Sequence, residues 1–490
     1  MPRMTLTMSA TTSSRRRFLQ TTLAASASLP AWAKPLGANS DVRVAVIGFR
    51  GRGGGHIKEL LAVPGVRIVA LCDVDQEVID KRVGDLAKKN VTVKTYRDFR
   101  ECCVDPDIDA ITIATPNHSH TLIALTALQH GKHVYVEKPV CHNLIEGRKL
   151  IAAAEKAAAK GIVVQHGMQR RSDLGWAAAM QWVNEGHIGQ KKLSHALVHG
   201  MRLSIDKVDG PQQPPASVDY KLWSAPRPVL PILRKQFHYD WHWQWPYGNG
   251  DIGNQGPHQY DVARWALDSP ATLPSRVMSF GGRWGYTDDG QTANCQMAFH
   301  PYEPVPLIMD MFGLPAKDMD KKSGEPPYKG IRTGNIIHCE GGYVAESKAY
   351  DNEGKTIMKF ENFLTGPDHM KNFIDSVRAG KYTKDVLDIH HGQQAAALAH
   401  LANTSYRLGK AIKNDEVRER LQGDKFGQEM LSQFLDTLAA NQIDTTAAQI
   451  TAGPWLDFDP LNEVFTGEFA TEANALMQEE YAAGFELPEV

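Results

Sequence analysis

The strongest constraint on the fold is a junction near the start of the chain. The apolar run Val42-Arg43-Val44-Ala45-Val46-Ile47 opens without a spacer into Gly48-Phe49-Arg50-Gly51-Arg52-Gly53-Gly54-Gly55, and a helical segment follows from His56 to Ala62. A β-type run feeding glycines and then a helix is one strand–turn–helix unit, with the glycines permitting the tight turn. The unit repeats. Further β-type runs at Val66–Leu71, Val91–Thr95, Ala110–Ala114, His133–Val136 and Ile162–Gln165 alternate with helical stretches around Gln76–Lys88, Ser119–His130 and Asn143–Lys160. Strands separated by helices join through crossovers, so residues 41–165 predict a Rossmann-type, doubly wound parallel sheet.

Beyond about residue 170 the alternation stops. Lys192–Val198, Arg276–Phe280, Thr292–Phe299 and Leu307–Phe312 read as strands without regular helices between them. That pattern predicts a second α/β domain over residues 166–412, built on an open, mostly antiparallel sheet and serving substrate binding and oligomerisation. Asp368–Lys413 returns to helix, with Phe373, Val377 and Ala395–Leu401 on an apolar face. Residues 413–490 are amphipathic and acidic and are expected to form a helical extension.

Composition narrows the function classes. Apolar residues make up 42% of the 490, ordinary for a globular chain, and no apolar run reaches the length of a membrane span. A formal net charge of −2 gives no basic footprint for a nucleic-acid partner. The N-terminus stands apart. Ser14-Arg15-Arg16-Arg17-Phe18-Leu19-Gln20, a mild Ala/Ser/Leu stretch and then Ala31-Trp32-Ala33 read as a twin-arginine export signal over residues 1–33, so a periplasmic or otherwise exported protein is expected. The same residues also fit a basic, disordered tail. Cys72, Cys102, Cys103, Cys141, Cys295 and Cys339 show no Cys-x-x-Cys and no framework spacing. His118 and His120 alternate and His390 and His391 are adjacent, without the cysteine or carboxylate partners of a zinc site, so no metal is expected.

The glycine loop fits a dinucleotide. Its backbone N–H groups can approach a pyrophosphate, and the helix N-terminus that follows favours negative charge. In the pattern G-x-G-x-x-G, Gly48 and Gly53 hold the outer positions, but Arg50 occupies the middle one. Gly51 is the candidate for the close approach, and Arg50 or Arg52 for contact with phosphate or adenine. Asp73, at the end of the next strand, is placed to bind the adenosine ribose hydroxyls. It favours NAD, because a 2′-phosphate would meet a carboxylate; the arginines keep NADP open. Thr115-Pro116-Asn117-His118-Ser119-His120 follows another strand, with Thr115 and Asn117 placed for ribose or nicotinamide, although Thr-Pro-Asn also fits plain turn chemistry. Val134-Tyr135-Val136 stops at Glu137-Lys138-Pro139. A lysine there suits proton transfer if burial lowers its pKa; a solvated ion pair at a strand end is the alternative.

Together, the glycine loop, Asp73, the Thr-Pro-Asn-x-x-His run ending at His120 and above all Glu137-Lys138-Pro139 resemble the glucose–fructose oxidoreductase/inositol dehydrogenase (Gfo/Idh/MocA) family over roughly residues 41–410. The resemblance implies that Lys138 is the catalytic lysine beside the nicotinamide and that Glu137 and Pro139 hold its turn. It also implies a D-x-G-x-H-x-x-D signature in the second domain, matched by Asn254-Gln255-Gly256-Pro257-His258-Gln259-Tyr260-Asp261. His258 takes the histidine's place and Asp261 the trailing acid's, but Asn254 stands where an aspartate is expected. Four-residue spacing would put Asn254 and His258 on one helix face. An amide can orient a hydroxyl but cannot raise the basicity of His258 as a carboxylate would. Asp251 is a candidate replacement, and His258 also fits a buried core histidine.

Arg170, leaving the last strand of the first domain, is a candidate for substrate contact or for an interface ion pair. Trp243 lies in Phe237-His238-Tyr239-Asp240-Trp241-His242-Trp243-Gln244-Trp245-Pro246-Tyr247, an aromatic segment that fits sugar stacking, an oligomer interface or core filling. The expectation is an oxidoreductase, homo-oligomeric, acting on a secondary alcohol of a small carbohydrate or cyclic polyol. The proton would leave to His258, directly or through Lys138, with NAD held tightly because an exported protein has no soluble pool to draw on. Two alternatives stay open. One is a glycoside hydrolase or lyase working by transient C3 oxidation, as in some exported relatives; the other is a sugar-binding member without turnover.

Overall fold

A computed structural model of the chain describes residues 41–360, 366–384, 387–444 and 450–490. The twin-arginine segment lies outside the described residues.

Six strands, β1 (Val42–Ile47), β2 (Val66–Cys72), β3 (Lys94–Tyr96), β4 (Ala110–Ile113), β5 (His133–Val136) and β6 (Val164–His166), form one sheet in the order β3-β2-β1-β4-β5-β6. Every pairing is parallel. The Rossmann-type expectation holds. Val44, Ala45, Val46, Ile111 and Val134 are buried, as strands covered by helices on both faces must be. The strand order reverses between β1 and β4, the position where open parallel sheets bind ligands at their carboxyl edge.

Register then aligns the site. Cys72 lies beside Ile47, Ile47 beside Ile113, Ile113 beside Val136 and Val136 beside His166. The residues that follow, Asp73, Gly48, Ala114, Glu137 and Gly167, therefore leave the sheet along a single edge.

The second sheet has twelve strands. Its core is β7 (Lys191–His199), β8 (Arg276–Gly282), β9 (Cys295–His300), β10 (Leu307–Phe312) and β11 (Thr333–Cys339), and β12 (Gly342–Ala345), β13 (Lys348–Asp351) and β14 (Thr356–Lys359) extend it outward from β11. All pairings are antiparallel except β7 with β10. The helices Gly256–Ala266 and Ile389–Arg407 pack on one face, burying Tyr260, Ala263, Leu398 and Leu401 with Ala298 and Met309 of the sheet.

The extension departs from expectation in two ways. It contains β16 (Ile450–Ala452), β17 (Leu456–Asp459) and β18 (Val464–Thr466); β16 and β17 pair with β8, and β16 also with β15 (Lys410–Ile412). Strands of three or four residues are shorter than the window over which periodicity separates strand from helix. Second, the helices Asn414–Arg420 and Lys425–Ala440 cover the other face of the sheet, where Val417, Met430, Leu431 and Phe434 bury against Phe280, Met297 and Phe312. That part of the sheet, which does not close on itself, carries helices on both faces. The chain then returns to the first domain, where Phe485 and Leu487 join the core containing Ile111, Leu125 and Leu150.

Among the described residues no helix is long and apolar enough to cross a membrane.

Candidate active site

The first wall of the site is the glycine loop. Gly48 has φ +73°, and a Cβ there would meet Thr115 Cγ2 at 2.7 Å. A Cβ on Gly53 would lie 2.0 Å from the Gly48 carbonyl oxygen, so Gly53 closes the loop on itself and, contrary to its assignment as a contact, does not line the cleft. Gly51 has open space where its side chain would be and faces the cleft, as expected of the residue replacing the middle glycine. The helix Arg52–Leu61 starts at Gly51 with no side-chain cap and no acid in its first turn, leaving N–H donors for an anion. Asp73 accepts from Phe49 N at 3.1 Å and Asp75 N at 3.2 Å. Burial outweighs those bonds and pushes its pKa up to about 6.

Arg50 is exposed on the cleft. Arg52 reaches the cleft too, with its guanidinium paired to Glu59 and Glu137, each at 2.8 Å, so Arg50 is the freer of the two arginines. Thr115 and Asn117 line the cleft, and Asn117 Nδ2 is buried without a protein partner. An orphaned amide donor beside a glycine cradle and an uncapped helix fits a dinucleotide's phosphate and hydroxyl acceptors. His120, which ends the Thr-Pro-Asn-x-x-His run, lines the cleft as well, and its side chain bridges two backbone carbonyls, Pro139 O at 2.7 Å and Thr115 O at 2.8 Å, tying the turn after β4 to the turn after β5.

Glu137 is buried and accepts from His56 Nε2 at 2.9 Å, Arg52 Nε at 2.8 Å and Lys138 N at 3.2 Å. Burial alone would raise its pKa, but His56 and Arg52 hold it well below the usual carboxylate range. It anchors the turn and so aims Lys138. Lys138 Nζ donates to Asn254 O at 2.8 Å and reaches Asn254 Oδ1 at 3.3 Å. Burial lowers the Lys138 pKa, and Glu137 and Asp251 only partly restore it.

The second domain supplies the other wall. Asn254 ends the short helix Gly250–Asn254, and His258 lies in the first turn of the next, Gly256–Ala266. The two residues thus sit on two helices and not on one face of a single helix, because the chain turns at Gln255; both line the cleft nonetheless. Burial, then the charge of Lys138, push the His258 pKa down to about 3, so the ring is a neutral acceptor at pH 7.

Three residues singled out in the sequence lie away from the cleft. Asp251 is buried in a paired contact with Arg202, Nε to Oδ2 at 2.6 Å and Nη2 to Oδ1 at 3.0 Å, and does not line the cleft. Arg170 turns away to stack over Trp176 and face Glu346, and its neighbour Gln169 takes the place on the cleft. Trp243 is buried and packs against Tyr239 and His242; His238, Tyr239, Trp241 and His242 are the residues of the aromatic segment that meet the cleft. Asp261 is held by Arg171 at 2.8 Å, a buried structural pair.

The cleft measures ≈ 480 Å³ and runs from Asp73 and the glycine loop to Lys138, Asn254 and His258. Sequence reasoning missed His56, Gln169, Trp223, Tyr239, Trp241 and His242. The aromatic density that singled out Trp243 marked the right segment but not which rings turn inward. Among the described residues no cluster could hold a metal ion, and all six cysteines are free and buried.

Residues 42–166 match the sequence model described as the oxidoreductase family (Gfo/Idh/MocA), NAD-binding Rossmann fold. A glycosyl hydrolase family 109 protein of Streptomyces niveus is 35% identical over 171 residues, covering 34% of this chain and 33% of that protein. The scyllo-inositol 2-dehydrogenase (NAD(+)) of Bacillus subtilis is 35% identical over 151 residues, 31% of this chain and 42% of that one. The chain thus spans from a third to about two-fifths of the length of these curated relatives. The WlbA dehydrogenase of Bordetella pertussis, solved in complex with NADH and UDP-GlcNAcA, shares the fold at a TM-score of 0.54 and 17% identity, over 75% of this chain and 97% of that one. Residues 42–166 are thus similar to the NAD-binding Rossmann domain of the Gfo/Idh/MocA oxidoreductase family, and the solved structure shares the fold of the chain as a whole.

Proposed function

We propose that the protein is an NAD-dependent oxidoreductase acting on a secondary alcohol of a sugar or cyclic polyol. The carrying observation is convergence. Lys138, Asn254 and His258, drawn from both domains, meet at one end of a cleft whose other end is the glycine loop and Asp73. Bound NAD supplies a hydride acceptor there. The chain's own residues handle the proton. His258, neutral at pH 7, accepts it from the substrate hydroxyl at a ring nitrogen, directly or by way of Lys138 Nζ, whose lowered pKa suits it to relay. Asn254 orients the lysine, and Glu137 fixes the turn that carries it. Trp223 and Trp241 add apolar wall that limits water.

A second reading is glycoside cleavage, in which transient oxidation of the sugar acidifies a neighbouring C–H and a glycosidic group is eliminated. The relative named as a glycosyl hydrolase favours it. The reading also includes export through residues 1–33, with NAD loaded beforehand and held tightly. Purified full-length protein, assayed on a panel of sugars, cyclic polyols and glycosides, tests it. Accumulation of reduced nicotinamide supports the oxidoreductase; aglycone release without net reduction supports cleavage. Lys138→Ala should abolish either. Undiminished turnover in that variant would refute the proposal, and sugar binding without turnover in the wild type would identify a binding protein.

A further inference from the structure

The aromatic segment places one side chain on the cleft whose chemistry nothing above uses. His242 sits in the short 3₁₀ turn Asp240–Trp243 and is partly exposed, facing the cleft. Its ring is held on two sides. Trp241 stacks on it with centroids 3.7 Å apart and planes at 20°. Nδ1 lies 2.5 Å from the carbonyl oxygen of Tyr239, which also accepts from His242 N at 3.3 Å. A carbonyl can only accept, so Nδ1 carries the proton. Nε2 of a neutral ring is then a bare acceptor, and it has no partner among the described residues. The backbone is fixed as well: a Cβ on Gly248 would fall 2.5 Å from the His242 carbonyl oxygen, so the chain leading to Asn254 folds directly over this residue.

His242 lines the same cleft as Lys138, Asn254 and His258, which places the ring near the reacting end. Lys138 lowers the pKa of His242 as it does that of His258, so both rings feel the same ammonium. Burial, the largest cause, and the charges of Lys138 and Arg202 push the His242 pKa down to about 4, which keeps the ring neutral at pH 7. The end of the cleft thus offers donors at Lys138 and Asn254 and acceptors at His258 and His242. A monohydric alcohol uses one acceptor and leaves the other unmatched.

We propose that His242 Nε2 accepts a hydrogen bond from a second, non-reacting hydroxyl of the substrate, so that the site selects a polyol carrying a hydroxyl near the reacting carbon over its deoxy counterpart. This rests on the oxidoreductase reading and deepens it: His258 serves the hydroxyl that reacts, and His242 one that does not. No bond to carbon changes at His242.

The test uses full-length protein with NAD, and glucose, methyl β-glucoside and their singly deoxygenated counterparts as probes. In the wild type, removing one particular hydroxyl should lower kcat/KM roughly tenfold, the loss of one neutral hydrogen bond in an open site. His242→Ala should lower kcat/KM on the parent sugar by a similar factor, mainly through KM, and should no longer distinguish parent from that deoxy sugar. His242→Gln, which keeps an acceptor, should recover part of the loss. Nitrogen-15 NMR of the His242 ring gives a readout independent of turnover: an Nδ1–H tautomer, with Nε2 shifting when methyl β-glucoside is added. Wild-type kinetics in His242→Ala, or an Nε2–H tautomer, overturns the inference. If the wild type turns over neither these probes nor any other member of the panel of sugars, cyclic polyols and glycosides, the oxidoreductase reading fails separately. The inference is then judged by the NMR titration, and an unmoved Nε2 resonance overturns it.

Discussion

Asn254→Asp probes the electrostatics of the reacting end. The side-chain oxygen of Asn254 lies 3.3 Å from Lys138 Nζ, so the isosteric aspartate sets a full negative charge at that distance. With an effective dielectric constant of about 20, the attraction has a ceiling of ~5 kcal/mol. The cleft is open to solvent, and opposite charges at such range move a pKa by about one to three units. The direction is upward, against the burial that lowers the lysine's pKa in the wild type. Because the relay needs neutral Lys138, the wild-type kcat/KM should rise with pH through that group's ionisation. In the variant the rising limb should move to higher pH by about one to three units, so at a fixed pH on the limb the rate falls roughly 10- to 1000-fold. Asn254→Ser, which adds no charge, should leave the limb in place. The assay is nicotinamide reduction across pH, with NAD affinity measured alongside. An unmoved limb in Asn254→Asp with normal NAD binding would refute a proton path through Lys138.

Three further outcomes follow from the same geometry. With its pKa pushed up to about 6, Asp73 offers both oxygens as charged acceptors to ribose hydroxyls only above that pH, so the Kd for NAD should rise as pH falls below that point, and Asp73→Asn should remove the break; because this carboxyl pKa is raised, its contribution to folding stability runs the other way, falling as pH rises from about 4 to about 6. Gly53→Ala sets a methyl 2.0 Å from the Gly48 carbonyl, and calorimetry should show NAD binding at least about tenfold weaker, with ~1–3 kcal/mol lost in urea unfolding. Glu479, paired with buried Arg227 and His142, has its pKa lowered to about 2, so it stabilises the fold above about pH 4 and loses that contribution as pH falls towards 2; Glu479→Gln should cost about 3 kcal/mol at pH 7 and flatten the acid limb of a Tm–pH plot.

What the sequence disclosed follows from how local each signal is. The first domain was legible because each strand and the helix after it lie within some thirty residues, and the parallel register carried Gly48, Asp73, Thr115 and Lys138 to one edge without further information. The cleft's second wall was only half legible. His258 and Asn254 were found, but not the break at Gln255 that puts them on separate helices, although Pro257 in the first turn of the second helix is a local signal of a helix start. Asp251 looked like a free charge because its partner, Arg202, lies 49 residues away; of the two partners of Arg52, Glu59 is seven residues on along the same helix and only Glu137, 85 residues away, was out of reach of the sequence. Trp243 was preferred to Trp241 because nothing in a run of aromatics tells which ring faces a cavity. The late strands β16 to β18 escaped because their pairing partners are separated from them by more than 150 residues of sequence, apart from β15 and each other.

The return of the chain's last turns to the first domain bears on the order of assembly. Glu479 meets His142 across 337 residues of sequence, Ala482 N donates to Pro226 O beside the cleft-lining Ala225, and Phe485 and Leu487 fill the core behind the Rossmann sheet. During synthesis the nucleotide-binding half leaves the ribosome first but lacks these pieces until the end. Long-range closure of this kind is slow, and an incomplete core exposes apolar surface while it waits. A polypeptide cut short before Glu479 is therefore expected to report its defect at the nucleotide-binding end of the cleft, far upstream of the missing residues.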